Sequence, residues 1–440
     1  MIRYRQKRIV TVLVWVITLL FAEMSQAVSL EQLVDLALKE NAGYQSQLHA
    51  AAARKAAGWQ ATSGYGPTVR VSVDHGIGRT SLYTDDDETV PGNTVNFHQT
   101  ELLFSATQPL LNLEKLSLMK WGTTEITAAE IEMQKAREEL VLRVCERYFA
   151  FLTAQENSRL AQEESDNLRQ QYEEAEQRLL LGSGTITDQQ SARSRYEISL
   201  AALLEKQTRQ ELTRKELEEV VGFSFSEKID GFWEKQLPKI HNDLSYWQEM
   251  ALQLNCDYRL ALVQCLGGKQ KLVAAQGAFL PTLDLFADYS RKEPSDTLAG
   301  YGETQKDSMF GVRFQMELLS SGRDTFEFTA ALKRLAAAEQ KVKAERQHLI
   351  LSLQRLWLSL HNTLQLIEHY ATATASSKQF MQSTQEGYLE GKYSLLDVLN
   401  SQQEYFRTQS QYKTSHYNYL TLYQQFMKTV GALPLLEDRQ

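Results

Sequence analysis

The chain is poor in the residues that interrupt secondary structure. It holds only 7 prolines in 440 residues. Residues 114–181 contain no proline and a single glycine, Gly122. Cysteine is also scarce: Cys145, Cys256 and Cys265 are the full set. An odd count gives no disulfide framework. Cys256 and Cys265, nine apart on a predicted helix, sit too far along its axis to bridge. The expectation is buried free thiols that pack as small apolar groups. Cations are outnumbered, 47 Lys and Arg against 55 Asp and Glu, which excludes a nucleic-acid partner because phosphate binding needs clustered Lys and Arg. Beyond residue 27 no run approaches the roughly 20 apolar residues of a spanning helix. If the mature chain enters a membrane, it must do so with β-strands.

Catalytic patterns are missing too. None of the 8 histidines forms a His-Glu-x-x-His pair. His361 and His369 share a helix face but have no acid or cysteine set to complete a metal site. Gly182-Ser183-Gly184 is not a nucleophile elbow, and Gly76-Ile77-Gly78 opens no helix that would make a phosphate loop. The expectation is a protein that is not an enzyme and holds no metal or cofactor.

The N-terminus carries a basic n-region (Arg3, Arg5, Lys7, Arg8), then a run of 14 residues, Ile9 to Ala22, apolar except for Thr11 and Thr18, and small residues at Ser25 and Ala27. That length fits a signal peptide over 1–27 better than a membrane span. Its removal takes four cations and one acid, moving the net charge from −8 to −11. No cysteine stands near the cleavage site, so lipid attachment there is not supported.

The mature chain is a duplicated unit. Asn41 and Asn255, Tyr44 and Tyr258, Lys55 and Lys269, and Pro67 and Pro281 all keep an offset of 214. Gly182 and Gly391, Asp188 and Asp397, Val221 and Val430, and Gly222 and Gly431 keep an offset of 209. A constant offset across widely spaced positions marks a repeat. The reading divides the chain into a first repeat at 28–222, an equatorial linker region at 223–243, a second repeat at 244–431 and a tail at 432–440.

Each repeat has the same order of elements. A helix over Leu30 to about Ala61 is stopped by Pro67, the helix-to-strand junction, with Pro281 its counterpart. A strand follows in which Val69, Val71 and Val73 alternate with Arg70, Ser72 and Asp74. A loop is expected over Asp74–Asn96, with its acidic run at Asp85–Glu88, then a strand from Phe97 to Gln108 that ends at Pro109. In the second repeat Leu283, Leu285, Ala287 and Tyr289 alternate with Asp284, Phe286 and Asp288. On the return strand Phe310, Val312, Phe314 and Met316 share a face opposite Gly311, Arg313, Gln315 and Glu317. Apolar outside and charged inside is the pattern of a membrane barrel strand. Then come helical tracts at 114–181 and about 326–390. The first is on the order of 100 Å long at about 1.5 Å per residue, a rod and not a globular helix. Each rod ends in a glycine turn, Gly182-Ser183-Gly184 or Gly391-Lys392, and a helix returns, Ile186–Val221 or Leu395–Val430.

Four strands cannot close, and an open edge in lipid leaves backbone groups unpaired at several kcal/mol each. The smallest closed barrels need about eight strands. The sequence therefore calls for oligomerisation, each subunit giving one stave to a shared barrel.

Together these segments resemble the TolC family of outer-membrane efflux and secretion proteins. The matching stretches are Leu30–Asn41, Phe104–Leu111, Gly311–Phe314, Leu318–Arg323, Gly182–Asp188 and Gly391–Leu399, and the likeness spans essentially the whole mature chain. The resemblance implies a mixed α+β, mostly α fold: a trimeric β-barrel with four strands per protomer, continuous with a long periplasmic α-helical barrel. It implies a homotrimer in outer-membrane lipid, docking to a periplasmic adaptor and to an inner-membrane ABC or RND-type transporter. The alternative from the residues alone is a periplasmic coiled-coil scaffold without a pore; membrane-length alternating strands argue against it.

The resemblance also places a periplasmic gate at the hairpin tips. Tyr388 and Gly391 match the family's tip, and Asp397 matches the first aspartate of its constriction ring. Clustered carboxylates in a trimer's mouth attract cations and raise one another's pKa. Asn400 stands where the family often has a second aspartate, and Tyr393 where a basic residue often makes a restraining salt bridge. Thr187-Asp188 matches the pair whose aspartate accepts from the gate tyrosine, making Tyr388 to Asp188 a candidate closing contact. From position alone, Asp188 and Asp397 read equally well as acids placed favourably at helix N-termini.

Overall fold

The computed structural model describes residues 29–83, 89–224, 237–240, 243–297, 300–301 and 303–433. The signal segment 1–27, the acidic run Asp85–Glu88 and most of the 223–243 stretch lie outside them. Two compact units result, and each draws on both repeats. One comprises residues 51–132 and 260–345, the other residues 1–50, 133–259 and 346–440.

The first unit carries a four-stranded antiparallel sheet. Its strands are β1 (Thr68–Tyr83), β2 (Thr89–Leu111), β3 (Thr282–Pro294) and, after the short β4 (Asp296–Thr297) and β5 (Gly300–Tyr301), β6 (Gln305–Gln315). Their order is β1-β2-β3-β6, so β1 and β6 are the edges. Pro67 and Pro281 stand immediately before β1 and β3.

Register sets the two faces, because directly paired residues share a side. Val69, Ala106, Ala287 and Phe310 form one row, and Val71, Phe104, Tyr289 and Ser308 the next. This face is bare: Val69 is 63% exposed and Phe310 76%. From the Leu283–Phe314 row to the Val73–Leu102 row the band runs about 27 Å along the strands at roughly 3.4 Å per residue. Tilt shortens it toward the roughly 25 Å apolar belt of a membrane barrel, or somewhat less. Arg291 and Lys306 take the same face in the last row, where long cationic side chains can reach past the apolar boundary.

The opposite face is charged and internally paired. Lys292 Nζ lies 3.4 Å from Glu101, Arg313 lies 3.8 Å from Asp288, and the Arg313 guanidinium sits 4.4 Å over the Phe286 ring.

Three expectations for the strands need correction. The anticipated loop over 74–96 is mostly strand, with β1 and β2 paired from Thr68–Thr107 through Ser81–Thr94. The glycines there do not end the ladder, because backbone pairing continues through them and the Phe97 ring lies over Gly78. β2 does not end at Pro109 but continues to Leu111, with a register shift between Pro109 and Leu111 that absorbs the missing N–H. Met316 and Glu317 fall beyond the end of β6.

The leading helix is also two helices, α1 (Leu30–Glu40) and α2 (Ala42–Ser63), divided at Asn41. α1 opens with a capping box between Ser29 and Gln32. The long helices are α3 (Leu113–Leu180) and α7 (Arg323–Leu389); α4 (Ile186–Val221) and α8 (Leu395–Val430) return beside them, and α5 (Leu244–Leu254) and α6 (Cys256–Gly277) repeat α1 and α2. No described helix is long and apolar enough to cross a membrane.

The second unit holds two cores built from equivalent positions. The first joins Leu33 and Ala37 with Val144, Phe151, Leu217 and Val221. The second joins Trp247 and Ala251 with Leu353, Leu360, Phe426 and Val430. These pairs keep the offsets 214 and 209, so the duplication extends into packing. Between the repeats, the Tyr419 hydroxyl donates to the Pro238 carbonyl at 2.6 Å, and Leu237 packs against both cores. Cys145 and Cys256 are buried and Cys265 half-buried; burial pushes the first two thiols up to about 12.

Candidate functional site

Both hairpin turns are made the same way. Gly182 and Gly391 adopt left-handed φ values of 72° and 78°, which a side chain strains. The turn amides fold back: Ser183 N donates to Arg178 O at 2.9 Å, and Lys392 N to Gly387 O at 2.7 Å. Gly184 N also donates to Arg178 O, at 3.0 Å. Each returning helix then starts on a hydroxyl cap, Thr185 for α4 and Ser394 for α8.

The two aspartates occupy the third position of those helices. Asp188 N donates to Thr185 Oγ1 at 3.1 Å, and the Thr185 hydroxyl donates to the Asp188 carboxylate at 2.7 Å. At α8 the cap is reciprocal. Ser394 donates its hydroxyl (2.6 Å) and its backbone N–H (2.9 Å) to Asp397 Oδ2, and Asp397 N returns a bond to Ser394 Oγ at 3.3 Å. The Ser394 hydroxyl first, and its backbone N–H second, hold the exposed Asp397 carboxyl below its ordinary range. The helix-start reading of both aspartates is therefore realised.

Tyr388 is half-buried and joins Tyr172 and Tyr196 around Leu168, Ala175, Ala192, Leu395 and Leu399. This small core ties the tips of the two hairpins together. The Arg178 guanidinium covers the Tyr388 ring at 4.6 Å. Burial pushes the phenol up; the Arg178 charge opposes that, and Asp188 adds to it. Tyr388 and Asp188 are thus electrostatic neighbours, while the Asp188 carboxylate is taken by Thr185. The Tyr393 ring lies against Gly387, where a Cβ would meet it at 2.4 Å. Thr187 is exposed. Asn400 accepts from Arg195 of α4 at 3.0 Å.

Sequence reading missed Arg178, Arg195 and Gly387. It placed Asp188 and Asp397 at helix starts without naming their capping hydroxyls, although Thr185-x-x-Asp188 and Ser394-x-x-Asp397 are helix-start signatures. Apolar side chains crowd the turns in the open, with Leu180 82% and Leu181 81% exposed.

The family model described as "Outer membrane efflux protein" matches residues 33–222 and again 247–432. Outer membrane protein TolC of Vibrio cholerae is 24% identical over 422 residues, 93% of this chain and 93% of the relative. Alkaline protease secretion protein AprF of Pseudomonas aeruginosa is 22% identical over 332 residues, 75% of this chain and 69% of the relative. Among solved structures the CusC channel superposes with a TM-score of 0.79 at 17% identity, covering 93% of this chain and 95% of that one.

Proposed function

The chain belongs to the outer membrane efflux protein family, and from that premise we propose that it is the exit duct of an efflux or type I secretion system, opened from its periplasmic end by partner proteins. It is an outer-membrane channel protein whose helical part lies in the periplasm. The observation that carries the reading is the sheet: an exposed apolar face about as tall as a membrane belt, a charged opposite face and two open edges. In lipid such edges must be paired, so three copies closing one barrel with the charged face inward is the assembly proposed. Adaptor and transporter partners, of ABC or RND type, follow from membership of such systems. The name of the Pseudomonas relative, a protease secretion protein, favours a polypeptide cargo.

Within this duct the hairpin tips form the periplasmic mouth, and Asp397 supplies its fixed negative charge. Asn400 adds no charge, so the ring is one carboxylate per protomer at this level. Three carboxylates around a narrow opening favour cations. The test is single-channel recording of the purified protein in planar bilayers, wild type beside Asp397→Asn. Discrete cation-preferring openings whose selectivity falls in the variant are expected. Openings unaffected by the change would remove Asp397 from the constriction, and a correctly assembled protein that never conducts would favour a scaffold.

A further inference from the structure

From the last row of the apolar face outward, register places Arg291, Lys306, Glu293 and Arg79 on that face. Three of these four are cations. Arg291 of β3 and Lys306 of β6 are directly paired, in the row of Val73 and Leu102. Such pairs hold their Cβ atoms about 4.5–5.5 Å apart, and like charges so placed repel. Both side chains are exposed. One terminal nitrogen of Arg291 meets the Glu293 carboxylate, which leaves the guanidinium further N–H donors. The other ion pairs of the strands are Lys292 with Glu101 and Arg313 with Asp288, so among the described residues Lys306 has no carboxylate partner. β1 and β3 begin beside Pro67 and Pro281, where the helices end, and this row lies toward their other ends. With the helical part in the periplasm, those ends face outward. Arg291 and Lys306 therefore stand where the outer leaflet's acyl chains meet its headgroups. Arg79 is six residues beyond that row, about 20 Å further out at roughly 3.4 Å per residue.

We propose that Arg291 and Lys306 form a binding site for the phosphate of an outer-leaflet lipid, a phosphorylated glycolipid of the lipid A type. The inference rests on the reading above of the apolar face as the lipid-facing one. A phosphate between the two cations replaces their repulsion with two attractions. The guanidinium fork matches phosphate oxygens, and the ammonium adds a point charge. Basic side chains at a membrane boundary recognise anionic headgroups in this way. Glu293 aims the guanidinium and also competes with the phosphate for it. The rows directly beneath specify a lipid and not a free anion. Val71, Phe104 and Tyr289 form the next row, an exposed apolar surface for the acyl chains of the lipid whose phosphate lies above.

The test titrates the full-length protein, assembled in detergent, with lipid A and with dephosphorylated lipid A, and counts bound lipid by native mass spectrometry. The wild type should prefer the phosphorylated form. Arg291→Gln should weaken lipid A binding about tenfold, as for one charge-assisted hydrogen bond, and Lys306→Gln by a smaller factor. Glu293→Gln should strengthen it, because the guanidinium is then free for the phosphate. Arg79→Gln should leave it unchanged, and added inorganic phosphate should not displace the lipid. Equal binding of the two lipids by the wild type overturns the proposal. So does lipid A affinity unchanged in both Arg291→Gln and Lys306→Gln, or an equal loss in Arg79→Gln, which would mean diffuse attraction and not a site. Displacement by inorganic phosphate overturns the assignment to a lipid. Insertion into phospholipid vesicles free of lipid A separates the two readings. A wild type that does not insert overturns the lipid-facing reading together with this site, whereas one that inserts but ignores the phosphate overturns this site alone.

Discussion

Asn41 and Asn255 make the same contact 214 residues apart. Asn41 Nδ2 donates to Val220 O at 2.8 Å while its Oδ1 accepts from Tyr44 N at 2.8 Å. Asn255 Nδ2 donates to Thr429 O at 2.9 Å while its Oδ1 accepts from Tyr258 N at 2.9 Å. Each side chain thus bridges the break between two helices and the last carbonyls of the returning hairpin helix. Asn255 is buried, at 5% exposure, and Asn41 is half-buried. Asn255→Ala would strand a buried carbonyl and amide, so it should cost about 2 kcal/mol, and Asn41→Ala nearer 1. Melting of the detergent-solubilised protein would check the order; equal or negligible losses would contradict it.

Much of this was readable from the chain. Asn41 and Asn255 stood out as a repeated pair, the hairpin turns fell at Gly182 and Gly391, and the apolar strand faces followed from strict alternation. What eluded reading was long-range. Asn41 divides the helix by capping the next one through Tyr44 N, a local role that asparagine favours, but its amide is used 179 residues away, and nothing local marks that. The strand residues 74–83 and 89–96 read as loop because glycine and asparagine favour turns, yet cross-strand pairing outweighed local preference. Arg195 carries no mark of its own in the sequence, because its two acceptors lie 205 and 208 residues away.

Gly122, the lone glycine of its helical tract, has a packing reason. A Cβ there would come within 2.6 Å of Gly58 O, and one at Gly58 within 2.8 Å of Gly122 O. The α2 and α3 backbones meet where neither has a side chain. Gly122→Ala gains roughly 1 kcal/mol of helix propensity but forces two backbones apart, at a cost of typically 1–3 kcal/mol. A net loss of about 1 kcal/mol is expected by melting, and a stabilised variant would mean the helices part freely.

Ser394 holds Asp397 ionised. A depressed carboxyl pKa contributes stability and charge that are present above the ordinary value and lost as pH falls through the depressed one. Ser394 therefore lowers the pH at which cation preference is lost, against the rise that neighbouring carboxylates of a ring impose on one another. In Ser394→Ala the same loss should begin at higher pH. Reversal potentials recorded across a pH series would show it; coincident curves would mean that Ser394 does not set the charge.

His416 is buried beside Tyr417, and burial first, with the Lys413 charge second, pushes it down to about 4. A depressed histidine gives stability that is fully present above its ordinary value near 6.5 and drains as pH falls toward 4. Between pH 7 and pH 5 this group alone removes about 2 kcal/mol. The melting temperature of His416→Leu should fall less over that interval than the wild type's. Parallel decreases would assign the acid sensitivity elsewhere.

The two sheet faces should respond in opposite ways to the same charge. Ala287 lies mid-band on the apolar face, in the row of Val69, Ala106 and Phe310. Ser72 lies on the charged face, beside Arg70 and Asp74. An arginine on the lipid side at mid-depth costs about 2–4 kcal/mol, whereas lumen positions mainly tune selectivity. Ala287→Arg should therefore lower the yield of membrane-inserted, assembled protein, while Ser72→Arg should insert normally and shift selectivity toward anions. The comparison separates a barrel from a half-buried soluble sheet. In a sheet whose apolar face packs on protein, Ala287→Arg would reduce soluble, folded material without any dependence on lipid. Refolding both variants with and without phospholipid vesicles distinguishes the cases, because only a lipid-facing Ala287 makes the arginine's penalty appear when vesicles are present.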